Sequence, residues 1–110
     1  DYTVDNEYMR LVDLAVNNAI DSGLIAVLDF FHGWAGHLIR DFDANSVAFY
    51  KIWQQVAERY RDYPDTLMFE LINEPNKIPT GMLNELQMKT VEIIRETNPT
   101  RVIALAASFR

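Results

Sequence analysis

One hundred and ten residues, 49% of them apolar and 24% charged, describe an ordinary globular domain and exclude a disordered chain. A net charge of −6 excludes a nucleic-acid binder, which needs Lys and Arg to displace counterions from phosphates, and no basic run is present for an anionic membrane surface. With no cysteine there is neither a disulfide nor thiolate chemistry, and no apolar run approaches the roughly 18–20 residues of a membrane span.

The opening DYTVDNEYMR is polar and lacks a signal-peptide pattern. It reads as the approach to a helix, with Asp5 as N-cap and Met9, Val12, Ala15, Val16, Ala19 and Ile20 as the apolar stripe. Gly23 is its left-handed stop. Leu24 to Phe31, LIAVLDFF, is almost wholly apolar, as in a parallel strand buried on both faces. HGWAGHLIRDFDANS then reads as a loop of 15 residues, a length that is usually functional or disordered. Phe49, Ile52, Trp53, Val56, Ala57 and Tyr60 stripe a second helix, which stops before Pro64. A second strand runs from Thr66 to Ile72, and NEPNKIPTG forms the next loop. Leu83, Leu86, Thr90, Val91 and Ile94 mark a third helix, closed by Asn98–Pro99, and RVIALAA is a third strand.

Strands joined through helices pair in parallel with right-handed crossovers, in either an open doubly wound sheet or a closed eight-stranded barrel. Periodicity does not separate the two. Three strands alone would leave apolar edges unpaired, and the chain opens on a helix with no strand before it, so a larger parent is expected. There is no internal repeat and no linker composition.

The segment richest in chemistry is LMFELINEP. It carries a buried strand directly into Asn73, Glu74 and Pro75, which places a carboxylate at the strand's C-terminal end, where parallel α/β proteins collect their active-site groups. An adjacent amide and a proline hold that carboxylate in place. Partial desolvation there would raise its pKa and let it donate a proton near neutrality. Glu70 has the same strand parity but lies about 13 Å away at 3.3 Å per residue. That is too far for either a retaining or an inverting carboxylate pair, so Glu70 is expected to point into the interior.

Strand–Asn–Glu–Pro resembles the signature of glycoside hydrolase family 5, the cellulase and mannanase family of retaining barrel glycosidases. YTVDNEYMRLVDLAVNNAIDSGLIAVLDFFH, FYKIWQQVAERYRDYPDTLMFELINEP and LNELQMKTVEIIRETNPTRVIALAASF are similar to successive helix–strand units of that family, so the resemblance covers essentially the whole chain. It implies that residues 1–110 are part of a catalytic (β/α)8 TIM barrel, from about its second helix to its fifth strand. The implied activity is endo-type hydrolysis of β-1,4-glycosidic bonds in cellulose or another β-glucan by a retaining mechanism, with a mannanase or xyloglucanase of the same family as the alternative. Position by position, Glu74 becomes the acid/base and Asn73 the donor to the sugar 2-hydroxyl. The family's nucleophile is a glutamate on the seventh strand, so the segment on its own is expected to be inactive.

The family also places a histidine two residues after the acidic position that ends the third strand. Counted from Asp29 that position is Phe31, and the histidine follows at His32. A one-residue slip reverses the side chain's face, so either a bulge restores the geometry or His32 acts differently; it is assigned to substrate binding. Trp34 is read as a sugar-stacking residue, with core cover as the alternative. Asp29 is expected to be a buried, hydrogen-bonded strand residue, Trp53 to be packing, and His37 to be a solvated or structural histidine.

The resemblance implies a polysaccharide or oligosaccharide partner, secretion, and no cofactor. No metal is expected either, since His32, His37, Asp41 and Asp43 match no metal-site spacing. A nucleotide-binding module would need a Gly-rich cradle, and Gly23, Gly33, Gly36 and Gly81 form none. A non-catalytic barrel fragment that keeps sugar contacts is the remaining alternative.

Overall fold

The structure is a computed structural model that describes residues 1–29 and 32–108. Helix α1 (Asn6–Asp21) starts on Asp5, whose carboxylate accepts the Tyr8 N–H at 2.8 Å. It ends on Gly23 at φ 78°, with Gly23 N–H on the Ile20 carbonyl and Leu24 N–H on that of Ala19. These two bonds satisfy the last turn. They also delay the first strand: β1 is Ala26–Asp29, beginning where Ala26 N–H reaches the Thr66 carbonyl at 2.8 Å, rather than at Leu24. The predicted end of that strand, Phe30 and Phe31, lies outside the described residues.

The predicted long loop is mostly helical. Ala35–Arg40 form a short helix, α2, and α3 runs Phe42–Arg59. Ala35 and Leu38 are buried under this segment. Asp41 breaks the two helices apart by capping α3 through Ala44 N–H, and the Asn45 amide donates to the carbonyls of His37 and Asp41 at 2.9 Å each. Such side-chain capping leaves no 3.6-residue stripe to read.

Strand β2 (Leu67–Glu70), α4 (Thr80–Arg95) and β3 (Ile103–Ala104) complete the chain. The sheet is parallel in the order β1-β2-β3, with Ala26 opposite Leu67 and Asp29 opposite Glu70. Both end strands are shorter than the apolar runs suggested. Helices α3 and α4 cover one face, where Leu28, Leu67 and Phe69 meet Phe49, Trp53, Val56, Leu83, Leu86 and Ile94. The other face is uncovered: Val27 is 53% exposed, Asp29 is exposed, and Met68 and Glu70 are half-buried. Among the described residues no element lies on that side, so they do not supply the burial expected of the strand's second face and of Asp29; Asp29 nonetheless has an interaction partner. Glu70 does point away from the helices, as its parity predicts.

Beneath the sheet's N-terminal end, buried Arg101 donates to the carbonyls of Tyr60, Tyr63, Pro64 and Leu67 at 2.7–3.1 Å and to Asn98 Oδ1 at 3.2 Å. Its cation also lies 5.5 Å from the centre of the Phe69 ring. Burial pulls the Arg101 pKa below the ordinary value, opposed by the nearby Asp65 charge.

Candidate active site

The parallel ladder places the C-terminal ends of β1 and β2 side by side. Beyond the regular strands, His32 and Asn73 form one more parallel bridge. The partner offset of 41 residues between Asp29 and Glu70 recurs between His32 and Asn73. His32 Nδ1 lies 2.7 Å from Asn73 Nδ2. With the amide donating, the neutral ring carries its proton on Nε2. The predicted pair His32 and Asn73 is thus one hydrogen-bonded unit, with His32 exposed and Asn73 half-buried.

Glu74 follows directly, in the left-handed region at φ 47°. A non-glycine residue there costs roughly 1–2 kcal/mol, and such positions gather at functional sites. The turn is held by its surroundings: Pro75 is buried, and Asn76 N–H reaches back to the Glu74 carbonyl at 2.6 Å. The Glu74 carboxylate is exposed and makes no hydrogen bond or ion pair among the described residues. The desolvation anticipated for it is not supplied by those residues. Glu74 thus stands on a constrained turn directly after the bonded Asn73, with no partner for its carboxylate among the described residues.

Trp34 is half-buried at the start of α2, its ring 6.1 Å from Phe49 and 5.5 Å from His37. At least one of its faces is thus used for packing. His37 is exposed on α2. No group of three or more metal-ligating side chains occurs among the described residues.

The segment after Glu74 contributes features that were not singled out in the sequence. Lys77 is a second left-handed residue, at φ 64°, and Ser108 Oγ donates to the Ile78 carbonyl, fastening this loop to the end of the chain's last extended stretch. Lys77, Ile78, Pro79, Thr80 and Ser108 line a shallow recess there. The sequence signal for it was slight: two prolines, Pro75 and Pro79, bracketing three residues.

Known proteins share this fold. Endoglucanase H of Acetivibrio thermocellus is 30% identical over 110 residues, which is 98% of this chain and 12% of that protein. Cel5A of Thermotoga maritima, solved with cellobiose and with mannotriose, superposes with a TM-score of 0.90 at 30% identity, over 97% of this chain and 34% of its own. The cellulose synthase subunit Z of Clostridioides difficile superposes at 0.85 with 38% identity, over 92% and 33%. The chain spans about a third of the solved relatives, and its α/β units are those of a (β/α)8 barrel rather than of an open doubly wound sheet. The model of the cellulase family, glycosyl hydrolase family 5, matches residues 1–108, and this chain, with its Asn73–Glu74 turn at the end of β2, belongs to that family.

Proposed function

We propose that the chain is part of the catalytic domain of an endo-β-1,4-glucanase that cleaves β-glucan with retention, Glu74 serving as acid/base. The observation that carries this reading is the Glu74 carboxylate, set at the C-terminal end of β2 on a left-handed turn next to the bonded Asn73–His32 pair. In the first step the protonated Glu74 gives its proton to the glycosidic oxygen as the bond to the anomeric carbon breaks and a second carboxylate attacks that carbon. In the second step ionised Glu74 takes a proton from water, whose oxygen displaces the enzyme carboxylate. The second carboxylate must stand about 5–5.5 Å from Glu74. Glu70, four residues back along the strand and so roughly 13 Å away, does not meet that distance. It has to come from a part of the barrel outside this chain, so these residues alone are inactive.

Asn73, fixed by His32, is placed to donate to the sugar 2-hydroxyl, a bond that strengthens as positive charge develops on the ring. His32 Nε2–H and the Trp34 ring are the further sugar contacts. The chemistry requires no cofactor. A polymeric glucan does not enter cells, so the enzyme acts outside them. The mannotriose complex of the Thermotoga relative supports mannan as the second substrate.

The test is Glu74→Gln in the full-length protein. Hydrolysis of barley β-glucan is expected to fall about 10²–10⁴-fold. With 2,4-dinitrophenyl β-cellobioside, whose leaving group needs no proton, the first step survives. In Glu74→Ala, azide is expected to give the β-glycosyl azide. An α-configured product would end the retaining reading, and equal loss in kcat/KM, which reports the first step, on both substrates would end the acid/base assignment.

A further inference from the structure

In a parallel ladder each residue of one strand donates to the strand beside it and accepts from a residue two positions further along. Phe69 N–H donates to the Val102 carbonyl at 3.0 Å and Leu71 N–H to that of Ala104 at 3.3 Å. The next bond in sequence would run from Ala106 N–H to the Leu71 carbonyl. Both groups are bound elsewhere. The Leu71 carbonyl accepts from Trp53 Nε1 on α3 at 3.2 Å. Ala106 N–H donates to Gln87 Oε1 on α4 at 2.7 Å, and Gln87 Nε2 returns a bond to the Ala106 carbonyl at 2.9 Å.

Trp53 is fully buried and Gln87 only 4% exposed. A buried amide and a buried indole N–H are held where they are because backbone groups there need partners. Two helices thus supply the partners that β2 and β3 would otherwise give one another. On the β3 side the ladder ends at Leu71, three residues before Glu74, while pairing on the β1 side continues to Asn73, directly before the left-handed turn that presents the carboxylate.

We infer that Trp53 and Gln87 are positioning residues for Glu74: their side chains terminate the β2–β3 ladder and so fix where the acid/base stands. This rests on the acid/base reading of Glu74. Trp53, which its sequence position marks only as packing, then has two roles, since its ring also lies 5.3 Å from that of Phe69. A displacement of about 1 Å at a reacting group costs on the order of 10²-fold in rate. The loss should appear where proton delivery limits the reaction.

The experiment compares Trp53→Phe, Gln87→Met, Phe69→Leu and Glu74→Gln in the full-length protein, on cellotetraose and on 2,4-dinitrophenyl β-cellobioside. Trp53→Phe keeps most of the ring and loses the N–H; Gln87→Met keeps the length and loses both bonds; Phe69→Leu disturbs the same packing and touches no bond of the set. Both positioning variants are expected to lose about 10–100-fold in kcat on cellotetraose with KM within twofold, and to change little in kcat/KM, which reports the first step alone, on the dinitrophenyl substrate. Phe69→Leu is expected to lower Tm without that substrate dependence. Equal losses in kcat/KM on the two substrates, a loss on cellotetraose confined to KM, or the same signature in Phe69→Leu would overturn the inference. If Trp53→Phe does not fold, Gln87→Met decides it. Should Glu74→Gln itself show no dependence on the leaving group, the acid/base reading falls and takes this inference with it; should only Glu74→Gln show it, the positioning role alone is refuted.

Discussion

The two ends of β2 use polar groups in opposite ways. At the N-terminal end, the five N–H groups of Arg101 meet four carbonyls and the Asn98 amide oxygen, and Asn98 in turn donates to the Ala57 carbonyl at 2.8 Å. Nothing is left over for a ligand. At the C-terminal end, Glu74 holds a strained backbone and an exposed carboxylate with no partner among the described residues. In parallel α/β barrels the first end carries stability and the second carries chemistry. Here the contrast lies along a single strand: one end commits its polar groups to the fold, and the other leaves a carboxylate without a partner among the described residues.

Two substitutions should break the comparison in opposite directions. Glu74→Gln, the larger effect, is expected to cost about 3–5 kcal/mol of transition-state stabilisation on an unactivated glucan. It should move unfolding stability by no more than about 0.5 kcal/mol, since the side chain is exposed. Arg101→Met is expected to cost about 3–5 kcal/mol of stability, because buried carbonyls lose their donors, while kcat of the folded fraction stays within about twofold. Urea unfolding and steady-state kinetics on the same two proteins separate the outcomes. A large kcat loss in Arg101→Met would mean that the two ends are coupled through β2.

A smaller effect sharpens the contrast. At φ 47° a glycine is unstrained where glutamate is not. Glu74→Gly should therefore remain inactive on glucan yet unfold at a temperature equal to or above that of Glu74→Gln, by about 0.5–1 kcal/mol in stability. A Glu74→Gly protein less stable than Glu74→Gln would show that the turn is not a site of strain.

Much of this arrangement was legible in the sequence where a local rule controls it. Asp5 and Gly23 mark the ends of α1 through short-range hydrogen bonds, and both stand where the pattern placed them. Glu74 at a strand's end follows from LMFELINEP because a buried run and a proline fix the strand's exit. What was not legible depends on partners distant in sequence. Ala106 leaves the third strand because Gln87, 19 residues earlier, binds both its backbone groups. Residues 35–40 form a helix because Leu38 finds a buried site and Asp41 and Asn45 bond across the junction. Periodicity detects a helix's apolar stripe, and a six-residue helix is too short to show one. The open face of the sheet is the complementary case: its apolar residues report what a strand is suited to face, and the chain spans only about a third of its solved relatives.

The smallest expected effect concerns a third polar group, spent neither on backbone carbonyls nor on a substrate. Asp13 on α1 accepts from Arg59 Nε at 2.9 Å, from the second Arg59 nitrogen at 2.6 Å and from the Tyr60 hydroxyl at 2.7 Å, tying α1 to α3. The hydrogen bond from Arg59 is the main cause that holds the Asp13 carboxyl below its ordinary 3.8; burial opposes it and the Tyr60 hydroxyl assists. A carboxyl whose folded pKa is depressed stabilises the protein above the unfolded pKa, and that stabilisation is lost as pH falls through the folded value. Both side chains remain 26% exposed, so the pair is worth at most about 1 kcal/mol. Asp13→Asn should accordingly lower stability by that small amount at about pH 5–8, and the gap to the parent should close below the ordinary carboxylate range. Urea unfolding of the two proteins from about pH 7 down to about pH 3 reads this directly. A gap that stays constant down to the lowest pH would assign the stabilisation to packing of α1 on α3 rather than to the charge of Asp13.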